Sequence, residues 1–123
     1  MCGITGRIGE GATLDNVQKM SAAISHRGPD DSGVWFNKGV AMAHQRLAII
    51  DLVGGKQPMI SASGRWVLIF NGEVYNFREL RAELEAEGYK FRSKTDSEVV
   101  LYSLAKWGKN ALLKFNGMFA LAF

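Results

Sequence analysis

The chain of 123 residues contains one cysteine, so it cannot form an internal disulfide, and its two histidines do not combine with that thiol in any zinc-binding spacing. Only two prolines occur, which excludes a proline-rich linker or low-complexity tract. No segment approaches the ~20 consecutive apolar residues of a membrane-spanning helix. The first residues also lack the basic start and apolar run of a secretory signal. Neither charge sign dominates: 15 Lys and Arg against 12 Asp and Glu give a formal +3, scattered along the chain and not interleaved with aromatics, so a nucleic-acid surface is not expected. Gly54-Gly55-Lys56 lacks the earlier glycine and the following Ser or Thr of a phosphate-cradling loop. What these absences leave is a single globular domain with an ordinary 47% hydrophobic content, suited to a reducing cytoplasm.

The patterns that are present place the elements. Residues 3–9 mix small and β-branched side chains and suit a short buried strand. Leu14, Val17, Met20, Ala23 and Ile24 recur at helical spacing, predicting a helix over roughly 13–25. His26 to Gly33 is dense in turn formers, and Val34–Phe36 and Val40–Ala43 read as strands joined by Asn37-Lys38-Gly39. An apolar segment follows from Arg46 to Leu52. Trp66–Phe70 reads as a strand ending at Asn71-Gly72. Asn76 with Glu79 suggests a capping box for a helix burying Phe77, Leu80 and Leu84, stopped by Gly88. Thr95-Asp96-Ser97-Glu98 opens a further helix to about Gly108. A short helical turn at 110–115 precedes a strand at Met118–Phe123. This order predicts an α+β sandwich. The last strand is apolar on both faces and needs neighbours on both sides, so a further C-terminal portion is expected.

Few residues carry chemistry. Cys2 directly follows the initiator methionine, and the small side chain at that position permits removal of Met1. The processed chain would then hold a thiol and a free α-amine on one residue. A thiolate is the reactive form of cysteine, and an amine titrating near 8 can accept its proton, so nucleophile and base coincide. Asn71-Gly72 is either a hairpin turn or a pair of donors, side-chain amide and backbone N–H, for a developing oxyanion. Arg46 interrupts an apolar stretch; it either pairs internally with Asp51 or Asp30 or clasps a carboxylate through its planar fork. Asp96 in a first helical turn is explained by the helix dipole alone, and could equally meet an ammonium group. His26 and His44 suit general acid–base work but read as structural. Arg27 and Asp30 are expected to organise their loop by mutual hydrogen bonds.

Five blocks occur in one order: Cys2-Gly3-Ile4, His26-Arg27-Gly28-Pro29-Asp30, Arg46 to Asp51, Asn71-Gly72-Glu73-Val74-Tyr75-Asn76 and Thr95-Asp96-Ser97-Glu98. Together they resemble the N-terminal glutaminase domain of glutamine-hydrolysing asparagine synthetases, a class II glutamine amidotransferase, over essentially the whole chain. The resemblance implies a four-layer αββα N-terminal-nucleophile hydrolase sandwich of antiparallel sheets, incomplete here at the C-terminus, with 1–123 as the N-terminal part of one amidotransferase domain. It implies that Cys2 attacks the side-chain amide of L-glutamine, giving glutamate and ammonia through a thioester. Asn71 and Gly72 would hold the oxyanion; Arg46 would bind the α-carboxylate and Asp96 the α-ammonium. Glu73 would line the site, with further contacts at Ile49 and Ile50.

The same resemblance places ATP and Mg in a C-terminal synthetase domain absent from this chain, and calls for no cofactor or metal within it. Nucleic acid and membrane are not expected partners, and a homodimer stays open. Two other functions also stay open: an amidotransferase of a biosynthetic cluster serving another acceptor, and a non-catalytic interaction module.

Overall fold

In the computed structural model, which describes residues 2–48 and 54–123, the first strand β1 (Gly3–Ile8) leads through a turn to helix α1 (Leu14–Ala23). Thr13 sits extended before α1 and its hydroxyl accepts the Asn16 N–H at 3.2 Å, which satisfies one of the donors left open at a helix start. The helix ends two residues earlier than its periodicity predicts, and Ser25–Arg27 tighten into a 3₁₀ turn. The two predicted hairpin strands extend further than their apolar cores: β2 is Asp31–Asn37 and β3 is Val40–Arg46. β3 lies between β1 and β2, antiparallel to both, with Ile4 opposite His44 and Gly33 opposite His44 on the other side.

The second sheet is built on β5 (Val67–Val74), flanked by the two-residue β4 (Met59–Ile60) and by β6 (Gly117–Ala122), all antiparallel. β5 runs straight through Asn71-Gly72, which pair with Ala120 and Phe119 of β6. The hairpin reading of Asn71-Gly72 is therefore wrong: the partner strand comes from the far end of the chain, and the Asn-Gly pair has neighbours that hold it extended. Helix α2 (Phe77–Ala86) follows, then α3 (Asp96–Trp107), a 3₁₀ turn at Gly108–Leu113, and β6.

The expected capping box at α2 does not form. Asn76 makes no side-chain cap bond; its amide spans to the Lys114 carbonyl at 2.9 Å and accepts the Asn116 N–H at 2.8 Å, fixing the entry to β6. Thr95 does cap α3, accepting the Glu98 N–H at 3.4 Å, but Glu98 does not reach back to Thr95 N–H. Its carboxylate takes the amides of Arg92 and Ser93 and the Ser93 hydroxyl, locking the turn ahead of the helix.

Four layers result: α1 on the first sheet, the first sheet facing the second through β1, β3 and β5, and α3 with α2 outside the second. Ala41 and Ala43 of β3 pack under Ala12 and Val17, and Leu68, Phe70 and Val74 of β5 pack against Leu80 and Leu84 of α2 and Val99 to Leu101 of α3. Each of the larger side chains contributes about 1.5–3 kcal/mol by leaving water. Because α3 has β5 on one side and α2 on another, it is buried all round from Asp96 through Leu104, and a simple amphipathic stripe is absent from it. Among the described residues no helix is long and apolar enough to cross a membrane.

Candidate active site

A cavity of about 510 Å³ opens beside the ends of β3 and β5. Cys2, Arg46, Asn71, Gly72, Glu73 and Asp96 all line it, although they come from four separate parts of the chain. The geometry of each follows from its element. Cys2 immediately precedes β1, which places the thiol at the end of the first sheet. Arg46 is the last residue of β3, buried on a face shared with His44. Asn71 and Glu73 alternate with Phe70 and Gly72 on β5, so they point away from the α3 core and toward the first sheet. Asp96 is the first residue of α3, whose carboxylate accepts the Val74 N–H at 3.0 Å and so ties the helix start to the end of β5. Ile49 and Ile50 lie outside the described residues, as does Asp51, one of the two internal partners (with Asp30) considered for Arg46.

Two features at this site escape sequence reading. The Leu47 N–H points at Cys2 Sγ at 3.4 Å while the thiol faces the Leu47 carbonyl at 3.6 Å, so backbone just past β3 supports the sulfur. Asp30 does not pair with Arg27; its Oδ2 accepts the Ala48 N–H at 2.8 Å and its own N–H donates to the Arg46 carbonyl at 3.0 Å. The turn-rich loop thus braces the 46–48 segment against which Cys2 rests. Both contacts use backbone atoms, which leave no trace in side-chain patterning.

The electrostatics favour a zwitterionic guest. Burial, with the nearby Glu73 carboxylate adding to it, raises the Asp96 carboxyl above the usual range against the opposing Val74 hydrogen bond. A desolvated carboxylate of this kind interacts strongly with a cation, and Arg46 supplies the opposite charge across the same cavity. Burial pushes His44 down, with the Arg46 charge adding to it, so the imidazole is neutral; Nε2 lies 3.1 Å from the Phe70 carbonyl, which can only accept, so Nε2 carries the hydrogen. His26, by contrast, is exposed and away from the cavity.

Two facing antiparallel sheets between helix layers, with the second residue of the chain a cysteine that lines the cavity between them, make the four-layer αββα sandwich that the family resemblance implies. One solved structure, described as the allosteric regulatory enzyme of purine biosynthesis, superimposes with a TM-score of 0.79 over 98% of this chain and 34% of its own, at 20% identity. The model of the glutamine amidotransferase domain matches residues 1–123, and the chain belongs to that family. It is 41% identical to the glutamine-hydrolyzing asparagine synthetase 3 of Bacillus subtilis, covering 99% of this chain and 21% of that protein. It is 38% identical to the corresponding enzyme of Triphysaria versicolor, covering 98% of this chain and 21% of that one. The chain thus spans about a fifth of the length of the curated relatives it matches.

Proposed function

We propose that this chain hydrolyses the side-chain amide of L-glutamine at Cys2. The observation that carries the reading is the convergence on one cavity of a near-terminal thiol, an oxyanion-type donor pair, a cation and a carboxylate. Glutamine needs all four: Arg46 meets the α-carboxylate, Asp96 with Glu73 beside it meets the α-ammonium, and the amide end reaches Cys2. With Met1 removed, the Cys2 α-amine accepts the thiol proton and the thiolate attacks the amide carbon. Asn71 Nδ2 and the Gly72 N–H hold the oxygen that becomes negative. The tetrahedral species collapses by breaking the C–N bond, the ammonium-form amine returns its proton to the leaving nitrogen, and ammonia departs. Water, deprotonated by the same amine, then cleaves the thioester to glutamate and restores the thiol.

The ammonia serves a C-terminal synthetase region, where ATP and Mg would support asparagine formation; the names of the relatives support this acceptor over another. The test of the glutaminase reading is intact mass before and after exposure to a diazo-ketone analogue of glutamine. A chain lacking Met1 that gains one adduct on Cys2 is the expected result. A processed chain that stays unlabelled overturns it.

Asp96 yields a paired expectation. Its folded-state proton affinity lies above the ordinary value of 3.8, so the stability it confers is present below that pH and is lost as pH rises through the raised folded value. At pH 7 the ionised carboxylate is therefore a cost in the empty protein. Asp96→Asn keeps an acceptor for the Val74 N–H and removes the charge. It should raise the unfolding temperature at pH 7 without glutamine and increase KM on the order of 100-fold, the loss expected when one partner of a buried charge pair is removed. Parallel thermal melts and glutamate-release kinetics check both signs; a stability loss together with unchanged KM overturns the role.

A further inference from the structure

The Phe70 peptide is held from two directions. Gln57 uses both ends of its side-chain amide on it: Oε1 accepts the Phe70 N–H at 2.6 Å and Nε2 donates to the Phe70 carbonyl at 3.2 Å. His44 Nε2 reaches the same carbonyl at 3.1 Å from the opposite sheet. β4 pairs with β5 only at Leu68 and Val67, so at Phe70 the Gln57 side chain takes the place of a strand neighbour. Its Nε2 also lies 3.4 Å from Ser97 Oγ in the first turn of α3, next to Asp96.

The Gln57 backbone is itself seated on the first sheet. A Cβ on Gly33 of β2 would come within 2.1 Å of the Gln57 carbonyl oxygen, so only glycine allows this approach. Gln57 therefore connects β2, β5 and α3, while His44 adds β3. The residue they fix is the one directly before Asn71-Gly72.

We propose that Gln57, with His44, is a positioning residue for the oxyanion donors: it fixes the Phe70 peptide so that the Asn71 amide and Gly72 N–H point at the reacting carbonyl. Gln57 also lines the cavity, but its amide is engaged by Phe70 and it acts through Asn71 and Gly72. β6 supports this stretch on one side only, β4 having no pair with β5 beyond Leu68, so loss of Gln57 removes the support on the other side. A displacement of about 1 Å at a reacting group costs up to about 100-fold in rate. The inference rests on glutamine hydrolysis at Cys2.

Gln57→Met keeps the length of the side chain and removes both hydrogen bonds to Phe70 and the one to Ser97 Oγ. Rates are expressed per active site, titrated by the diazo-ketone label on Cys2. The expected result is a fall in kcat on the order of 10- to 100-fold with KM within about twofold of the unsubstituted protein. In an Asn71→Ala background the same substitution should cost less than about threefold, because the group it positions is already gone. A fold defect would multiply both backgrounds alike. Equal losses in the two backgrounds, or a change in KM alone, overturn the proposal.

If Gln57→Met does not fold, Gln57→Glu enters the same cycle; it retains the acceptor for the Phe70 N–H and loses the donor to the Phe70 carbonyl. Amide hydrogen exchange at Asn71 and Gly72 provides a reading that needs no turnover. Faster exchange in the variant supports the positioning role and unchanged exchange overturns it. A protein without glutaminase activity that shows the faster exchange would sink the proposed function and leave standing only the restraint that Gln57 places on Asn71 and Gly72.

Discussion

Cys2→Ala should abolish glutamate release from glutamine while leaving glutamine binding nearly intact. The thiol is the only nucleophile of its kind in the chain, so nothing can substitute for it. Removing a catalytic nucleophile costs on the order of 10⁶ in kcat where a base and oxyanion donors remain. Binding is another matter: in the proposed reaction Arg46 and Asp96 would hold the charged end of glutamine, and neither contacts the sulfur in the described hydrogen bonds. Calorimetry on the variant should therefore return a dissociation constant within about threefold of the KM seen before substitution, since interactions common to ground and transition states are untouched. A second arm concerns the amine. In a preparation containing both Met1-retaining and processed chains, turnover should follow the processed fraction alone. With Met1 attached, the nitrogen of Cys2 is part of a peptide bond and is no base. Activity in the Met1-retaining fraction would show that the thiol finds its base elsewhere.

How far the sequence exposes this site depends on the kind of contact involved. Helix starts with a side-chain cap are legible, because Thr13 and Thr95 each act on an amide three residues away. Asn76 shows the limit: another cap-favouring residue in the same position finds partners at Lys114 and Asn116, 38 and 40 residues on, and local rules cannot anticipate that competition. β5 is longer than its apolar run because β6 returns alongside Asn71 to Val74 and supplies the ladder, which lets polar residues continue a strand. Candidate ligands stood out where a charge broke an apolar segment, as Arg46 does, or where a reactive type was unique, as Cys2 is. Gln57, Leu47 and Asp30 did not, for a shared reason: each joins distant segments through a contact with backbone atoms on one side, and backbone atoms leave no mark in composition. The α+β sandwich was legible from element order and its four layers only from the family resemblance, whereas the geometry that brings Cys2, Arg46, Asn71 and Asp96 together comes from the facing sheets and the start of α3.

Asn71→Ala is expected to lower kcat on the order of 100- to 1,000-fold with little change in KM, the behaviour of a donor whose partner becomes charged only in the transition state. The ground-state amide oxygen of glutamine is a modest acceptor, while the tetrahedral oxyanion is a full charge in a cavity walled by Phe70, Phe119 and Met118, where electrostatic contacts are weakly screened. Asn71→Asp distinguishes this role from a merely structural one. The two side chains have nearly the same shape and either could cap or turn the chain, but the carboxylate has no donor and carries the sign of the oxyanion. The expected order of kcat is Asn, then Ala, then Asp. The second donor is constrained differently. A Cβ on Gly72 would lie 2.3 Å from the Met118 carbonyl oxygen and 2.5 Å from Phe119 Cα, both backbone atoms of β6 that cannot rotate away. Gly72→Ala must therefore shift β5 against β6 and displace both donors together, with a loss at least as large as that of Asn71→Ala. Glutamate-release kinetics on the three variants, each normalised to titrated Cys2, decide the matter: an aspartate variant as active as the alanine one, or a glycine substitution without effect, would mean the oxyanion is stabilised by other groups.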